Sequence, residues 1–340
     1  MKFINIFWIA SIWICFYPIG ASADHSSGGN FTNVQPGLQF NSTMHSLELV
    51  YQRRWLNFQE SESKNINSYN YPGIIQQFQN GQSGHGHQHG YDNSYYQEYR
   101  NDIELRGNVF WHEKSSISFN IPYRQIQLFE DGQDIDAISG IGDPVLMVNY
   151  FPIDFTGVKR KNDFGHRLSF GGGVKVPFGK FSTRNYNNEI TPAYQPGSGS
   201  FDFLFYSSYL ITYKKLGWFN YYSYRLNTQN PNGFKFSNTM NFRSNMFLSL
   251  QKKSSNFIPF VSFEMQKAGA DRLYNQEFDE DSGGTLLLSG IGMEYFFKNY
   301  GLSVEYAYPI AQKVQGEQFK YQHQFQAGIK FLINKQNQKP

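Results

Sequence analysis

Residues 102–111 read DIELRGNVFW. Ile103, Leu105, Val109 and Trp111 alternate with Asp102, Glu104, Arg106 and Asn108. A period of two puts the two sets on opposite faces of a β-strand. The pattern recurs at 116–124, where Ile117, Phe119, Ile121 and Tyr123 alternate with Ser116, Ser118, Asn120 and Arg124. It returns at 167–178 and again near the end, where Phe325, Ala327, Ile329, Phe331 and Ile333 alternate with Gln324, Gln326 and Lys330. About twelve such segments lie near 45–52, 101–112, 115–125, 143–153, 166–178, 201–213, 217–227, 235–251, 257–267, 285–297, 301–310 and 322–333. Many exceed the length of an ordinary soluble strand and suit a tilted crossing of a bilayer.

The links between them alternate in length. HEKS (112–115), KKLG (214–217), KKSSN (252–256) and KNYG (298–301) are short, whereas 53–100, 126–142, 179–200, 228–234, 268–284 and 311–321 are long. The link DFTGVKRKNDFG (154–165) should be short and is not. Short turns at one end and long loops at the other mark an outer-membrane barrel, and starting and ending at the short-turn end requires an even strand count. Soluble β-sandwiches would share the alternation but not the strand length or the loop rhythm.

Composition agrees. Aromatic residues make up 18% of the chain, charged residues only 17%, and the mean hydropathy is −0.54. A chain this aromatic, with no long apolar run beyond its start, must hide its hydrophobicity in alternation. Lipid supplies no hydrogen-bond partners, so such strands must close into an edgeless sheet. Aromatic residues at strand ends, among them Trp111, Tyr123, Tyr150, Phe151, Trp218, Tyr295, Phe296 and Phe297, are expected as interfacial girdles. The expectation is an all-β, transmembrane antiparallel β-barrel of about twelve strands in a single domain. A net charge of +3 gives no support for nucleic-acid binding.

The ends are distinct. Lys2, the apolar run FINIFWIASIWICFY and Ala21-Ser22-Ala23 have the layout of a secretory signal peptide over 1–23. Its cut removes the lone Cys15, so disulfides and thiolate chemistry are excluded. Residues 24–44 read as a lead-in or short plug, 45–333 as the barrel and 334–340 as a polar tail. The expected location is the cell outer membrane after export. Outer-membrane lipid, lipopolysaccharide and the barrel assembly machinery are then the expected partners, together with a small-molecule solute.

Three phrases occur in order: SGIGDPVLMVNYF (139–151), FGGGVKVPFGKFS (170–182) and PGSGSFDF (196–203). Together they resemble the outer-membrane proteins grouped as the MetA-pathway-of-phenol-degradation family, barrels similar to long-chain fatty-acid transporters. The resemblance extends loosely from about 100 to 333. It implies a porin or transporter for a hydrophobic or aromatic solute. The chain departs from the pattern in the long connection 53–100 and in the tail NKQNQKP. Independently of any family, Gly140 and Gly142 are expected to adopt positive φ, and Gly171, Gly172 and Gly173 to bend the sheet or admit a close neighbour. GVKVPFGKFS lacks the glycine spacing of a phosphate loop.

Parity assigns a lumen set: Glu48, Glu104, Arg106, Arg124, Lys175, Asp202, Arg225, Arg243, Glu264, Glu294, Glu305 and Lys330. Charges at these positions either line a solute path or pair and fill the interior. His85, His87 and His89, in HGHQHG, offer imidazoles for a divalent metal on the first long loop, where flanking glycines leave them unorganised. The acidic patches EDGQDID (130–136) and EFDEDS (277–282) are expected as solvated outer loops. No G-x-S-x-G or H-E-x-x-H occurs, so no enzyme and no cofactor are expected. The functional expectation is an outer-membrane channel or transporter. The alternative is a non-transporting structural or surface-binding barrel, scavenging metal through its histidine loop.

Overall fold

A computed structural model describes residues 44–59, 95–155, 164–184, 190–316 and 318–334. The histidines at 85, 87 and 89, the segment 1–43 and the tail 335–340 lie outside the described residues. Among the described residues, fourteen strands form one antiparallel sheet. They are β1 (Met44–Gln59), β2 (Tyr95–His112), β3 (Ser115–Glu130), β4 (Gln133–Ile141), β5 (Val145–Asp154), β6 (Phe164–Lys175) and β7 (Asp202–Tyr213), followed by β8 (Leu216–Leu226), β9 (Thr239–Leu248), β10 (Leu250–Lys252), β11 (Ser255–Ala268), β12 (Gly284–Phe297), β13 (Tyr300–Val314) and β14 (Lys320–Asn334). β1 pairs with both β2 and β14, so the sheet closes. β4 and β5 both lie along β3, and β9 and β10 both lie along β11, so the wall has twelve staves.

The alternation sets which side chain faces where. Ile103 is 45% exposed and Glu104 beside it 0%. The same contrast repeats around the wall as a band of exposed apolar residues, from Leu47 and Leu49 through Val148 to Ile329. Such a band is stable only against hydrocarbon. Trp111, Tyr123, Tyr150, Trp218, Tyr295 and Phe297 are exposed on it. Phe151 and Phe296 are corrections to the expected girdle. Each follows an outward aromatic by one residue and so points inward, Phe151 stacking on Phe110 at 5.6 Å and Phe296 packing against the inner cluster of Leu210 and Phe219.

Several strands outrun the expected boundaries. β1 continues through Arg53–Gln59 and β2 starts at Tyr95, so the link expected at 53–100 is shorter. Residues 126–142 form a hairpin and not a long loop. Asp131 and Gly132, at φ 47° and 82°, make the tight turn, and EDGQDID is its tip. β13 and β14 likewise extend to Val314 and from Lys320. These extensions mix polar residues (Arg53, Asn57, Gln97, Gln125, Gln127) with aromatic ones (Trp55, Tyr99, Phe129) on the outward face, so the clean alternation with aliphatic residues stops although the hydrogen-bonded ladder goes on. The segment expected as one strand at 235–251 is β9 plus β10, broken at Ser249.

Candidate lumen site

β6 stops at Lys175 because Pro177 has no N–H to continue the ladder, and Val176 instead donates to the Pro144 carbonyl at 2.9 Å. The chain then turns into the barrel. Residues 190–200, expected within an outer loop, are largely buried inside. Tyr194 is fully enclosed among Leu56, Phe58, Tyr96, Leu128, Leu286, Phe319 and Tyr321. Its hydroxyl donates to the Asp136 carbonyl at 3.0 Å. An apolar plug therefore fills the lumen at the long-connection end.

A buried charge cluster holds this segment. Asp143 accepts hydrogen bonds from Gly179 N (2.9 Å), Ser198 N (2.7 Å) and Ser198 Oγ (2.7 Å). Lys175 Nζ lies 3.4 Å from Asp143 and pairs also with Asp202 and Ser198. Asp202 accepts from Ser200 Oγ and from Thr228 N, each at 3.0 Å. Two glycines make the approach possible. A Cβ on Gly179 would sit 2.8 Å from the Gly142 and Gly197 backbones, and one on Gly142 2.9 Å from the Pro196 carbonyl. Neither Gly140 nor Gly142 adopts positive φ, contrary to expectation; the need at Gly142 is space. Gly171 serves in the same way, since a Cβ there would strike the Tyr206 ring. Asp143 and Ser198 were not among the expected site residues. They lie within the three family-like phrases, which fold into this one cluster.

Below it, the other inward charges pair with one another. Arg54 and Arg124 both meet Asp102, at 2.5 and 3.2 Å. Arg243 spans Glu264 and Glu305, at 3.1 and 2.6 Å. Lys330 lies 3.5 Å from Glu48 and 4.0 Å from Glu294, and Arg106 lies 2.6 Å from Glu104. The twelve charged positions assigned by parity point away from the apolar band: Glu48, Glu104, Arg124, Lys175, Asp202, Arg225, Arg243, Glu264, Glu294, Glu305 and Lys330 are buried, and Arg106 is half-buried. They make local pairs rather than one open charged ring.

Toward the short-turn end lies a cavity of about 120 Å³. Phe110, Met147, Phe151, Tyr206 and Tyr221 give it apolar walls; Ser169, Ser208 and Asn149 add small polar groups; Arg106 and Arg167 reach it from two staves. Arg167 stacks on the Phe151 ring at 4.1 Å and lies 3.5 Å from Asp154. Tyr206 stacks on Tyr221 at 5.3 Å and donates to Asn149 Oδ1 at 2.7 Å.

At the other end, the connections 227–238 and 269–283 meet through paired backbone bonds between Lys235 and Arg272, at 3.0 and 2.8 Å. Asn230 Nδ2 ties them to the plug at the Ser198 carbonyl, 3.1 Å. Asp271 is buried there and accepts from Ser237 N at 2.7 Å. EFDEDS, expected as solvated, packs partly against it, for Ser282 Oγ accepts from Asp271 N. Burial pushes the Asp271 carboxyl up to about 7; the Ser237 N–H opposes this and Asp279 adds to it. The docked form therefore keeps a proton that a free aspartate releases near pH 4. Docking is strongest below that pH, weakens as pH rises to about 7, and is level above it. The total loss is on the order of 4 kcal/mol at most. Amide exchange at Lys235 and Arg272, corrected for intrinsic rates, should show this slope, and Asp271→Asn should flatten it. An equal slope in the variant excludes Asp271 as the cause.

No protein-family model and no curated protein sequence matches the chain. Solved structures do. A COG4313 outer membrane channel from Pseudomonas putida F1 is similar at 10% identity and a TM-score of 0.59, over 88% of this chain and all of that one. The translocator domain of the autotransporter NalP from Neisseria meningitidis gives a TM-score of 0.42 at 10% identity, over 88% of this chain and 92% of that one. The NanC porin gives 0.36 at 10% identity, over 82% and 98%. At such identities the first likeness establishes the fold alone, that of an outer-membrane barrel.

Proposed function

We propose that the protein is an outer-membrane channel, exported by residues 1–23, that passes a small hydrophobic or aromatic solute. The observation that carries this is the cavity between the ion-pair layer and the short-turn end. Apolar cavities of about 150 Å³ hold a benzene ring. A cavity of about 120 Å³ with aromatic walls and two guanidinium groups accommodates at most one ring. The channel architecture of the similar Pseudomonas barrel and the family-like phrases support the same conclusion.

The test is reconstitution. In planar bilayers the purified barrel should carry a small ion current, and a single-ring aromatic should reduce it at millimolar concentration where a hexose does not. Ser169→Phe, which fills the cavity, should abolish that block while the barrel stays folded. Equal effects of hexose and aromatic would defeat the aromatic-solute proposal. A second reading, a non-transporting surface barrel, is favoured by the Tyr194 plug and the paired charges. Complete electrical silence with no solute flux would select it. In either case His85, His87 and His89 remain candidates for binding zinc or copper, which calorimetric titration of the whole protein would detect.

A further inference from the structure

Arg53 departs from the charge pattern of the rest of the barrel. It projects from the outward face of β1, one alternation beyond the exposed Leu47, Leu49 and Tyr51. Its guanidinium lies 4.9 Å from the Trp55 ring and 4.8 Å from the Tyr99 ring, which face each other across β1 and β2. Trp55 packs at a tilt on His323, with ring centroids 4.3 Å apart, and Tyr99 packs on Phe129 at 5.1 Å. Among the described residues no carboxylate pairs with Arg53; its Nε is enclosed between the rings without a hydrogen-bond partner, so only the terminal Nη groups can meet a ligand. The acids of the two strands, Glu48, Glu98, Asp102 and Glu104, are buried on the other face and paired there. Lys320, exposed and opposite Asn57, adds a second outward cation farther from the band.

From this we infer that Arg53, Trp55 and Tyr99 form a binding site for a phosphate group of a membrane lipid. Aromatic rings hold a guanidinium by its faces and leave its in-plane N–H groups free, and those groups match phosphate in a two-pronged hydrogen bond. The site stands at the edge of the apolar band, where a headgroup ends and acyl chains begin. Tyr51, Leu49, Ile103 and Leu105 extend below it as the surface those chains would cover. A soluble anion would have no use for that continuity. With the long connections outside the cell, this rim lies in the outer leaflet, and the ligand is its phosphorylated glycolipid. The inference rests on the outer-membrane reading proposed above, with the long connections taken as the outer end as in other barrels of this kind.

Native mass spectrometry of the detergent-purified full chain tests it, with lipid A, phosphatidylethanolamine and inorganic phosphate as separate probes. Lipid A should bind at one equivalent, and Arg53→Gln should weaken it by about tenfold or more. Trp55→Leu and Tyr99→Leu, which keep the charge but remove the cradle, should each give a smaller loss. Lys114→Gln, a cation removed at the short-turn end, should leave binding unchanged. Heat-modifiable gel mobility checks that each variant still forms a barrel. Unchanged lipid A binding in Arg53→Gln overturns the inference, as does equal competition by phosphatidylethanolamine or inorganic phosphate. If the wild-type chain needs no detergent and shows no heat-modifiable mobility, the membrane orientation itself fails instead.

Discussion

Lys175→Met should be among the most damaging substitutions in the barrel, costing about 3–5 kcal/mol. Lys175 lies between Asp143 and Asp202, all three buried, and Met is near it in length but carries no charge. Its removal leaves two enclosed carboxylates facing each other without a cation. They must take up protons or draw water in, and either outcome unpins the segment that Asp143 holds through Gly179 and Ser198. The expected result is a lowered urea midpoint in detergent, with new trypsin cleavage at Lys180 or Arg184. The triple variant Lys175→Met, Asp143→Asn, Asp202→Asn should recover a large part of the loss, because the penalty comes from uncompensated charge more than from a lost attraction. A triple variant no more stable than Lys175→Met would contradict that cause.

The wall of this barrel was legible in the sequence because its cause is local. Ile103 and Glu104 face opposite ways because they are adjacent in a strand, and lipid on one side makes that parity strict. The inward positions of Arg243, Glu264 and Glu305 follow from the same parity. Which acid meets which base does not, since Arg243 reaches Glu305 from β9 to β13 and only the register fixes that distance. The hairpin at 126–142 left a visible mark, Asp131-Gly132, but the outward Gln125 and Gln127 ended the apolar alternation that identified strands elsewhere. The inward segment 190–200 left no periodic mark. Its place is decided by Asp143, more than fifty residues away along the chain. The family-like phrases contained the needed residues, yet nothing in a linear sequence says that three glycine-rich stretches converge. Gly142 shows the same limit: its backbone angles are ordinary, and only the neighbouring Pro196 carbonyl forbids a side chain.

Tyr194→Ala should affect transport more than any change in the ion-pair layer. Tyr194 is the centre of the apolar plug, packed against side chains from staves on several sides of the barrel. Truncation removes the ring from a layer whose neighbours, Phe319 excepted, are held on strands of the wall and cannot move in to replace it. Loss of a buried aromatic side chain of this size costs about 3–5 kcal/mol when the surroundings cannot collapse. In a soluble core that cost would appear mainly as lower stability. Here the wall is closed by its own hydrogen bonds, and the plug is a segment resting inside it, so the wall should stay intact while the lumen opens. The expected measurement is a several-fold rise in single-channel conductance, with an unchanged heat-modifiable shift on gels. Tyr194→Phe separates the two contributions of the residue. It keeps the packing and loses only the hydroxyl's bonds to the Asp136 and Ile126 carbonyls, so its conductance should stay near that of the parent. Equal conductance in Tyr194→Ala and the parent would mean that the narrowest point lies elsewhere, in the layer of Arg54, Asp102 and Arg124. Substitutions there, and not in the plug, would then control the current.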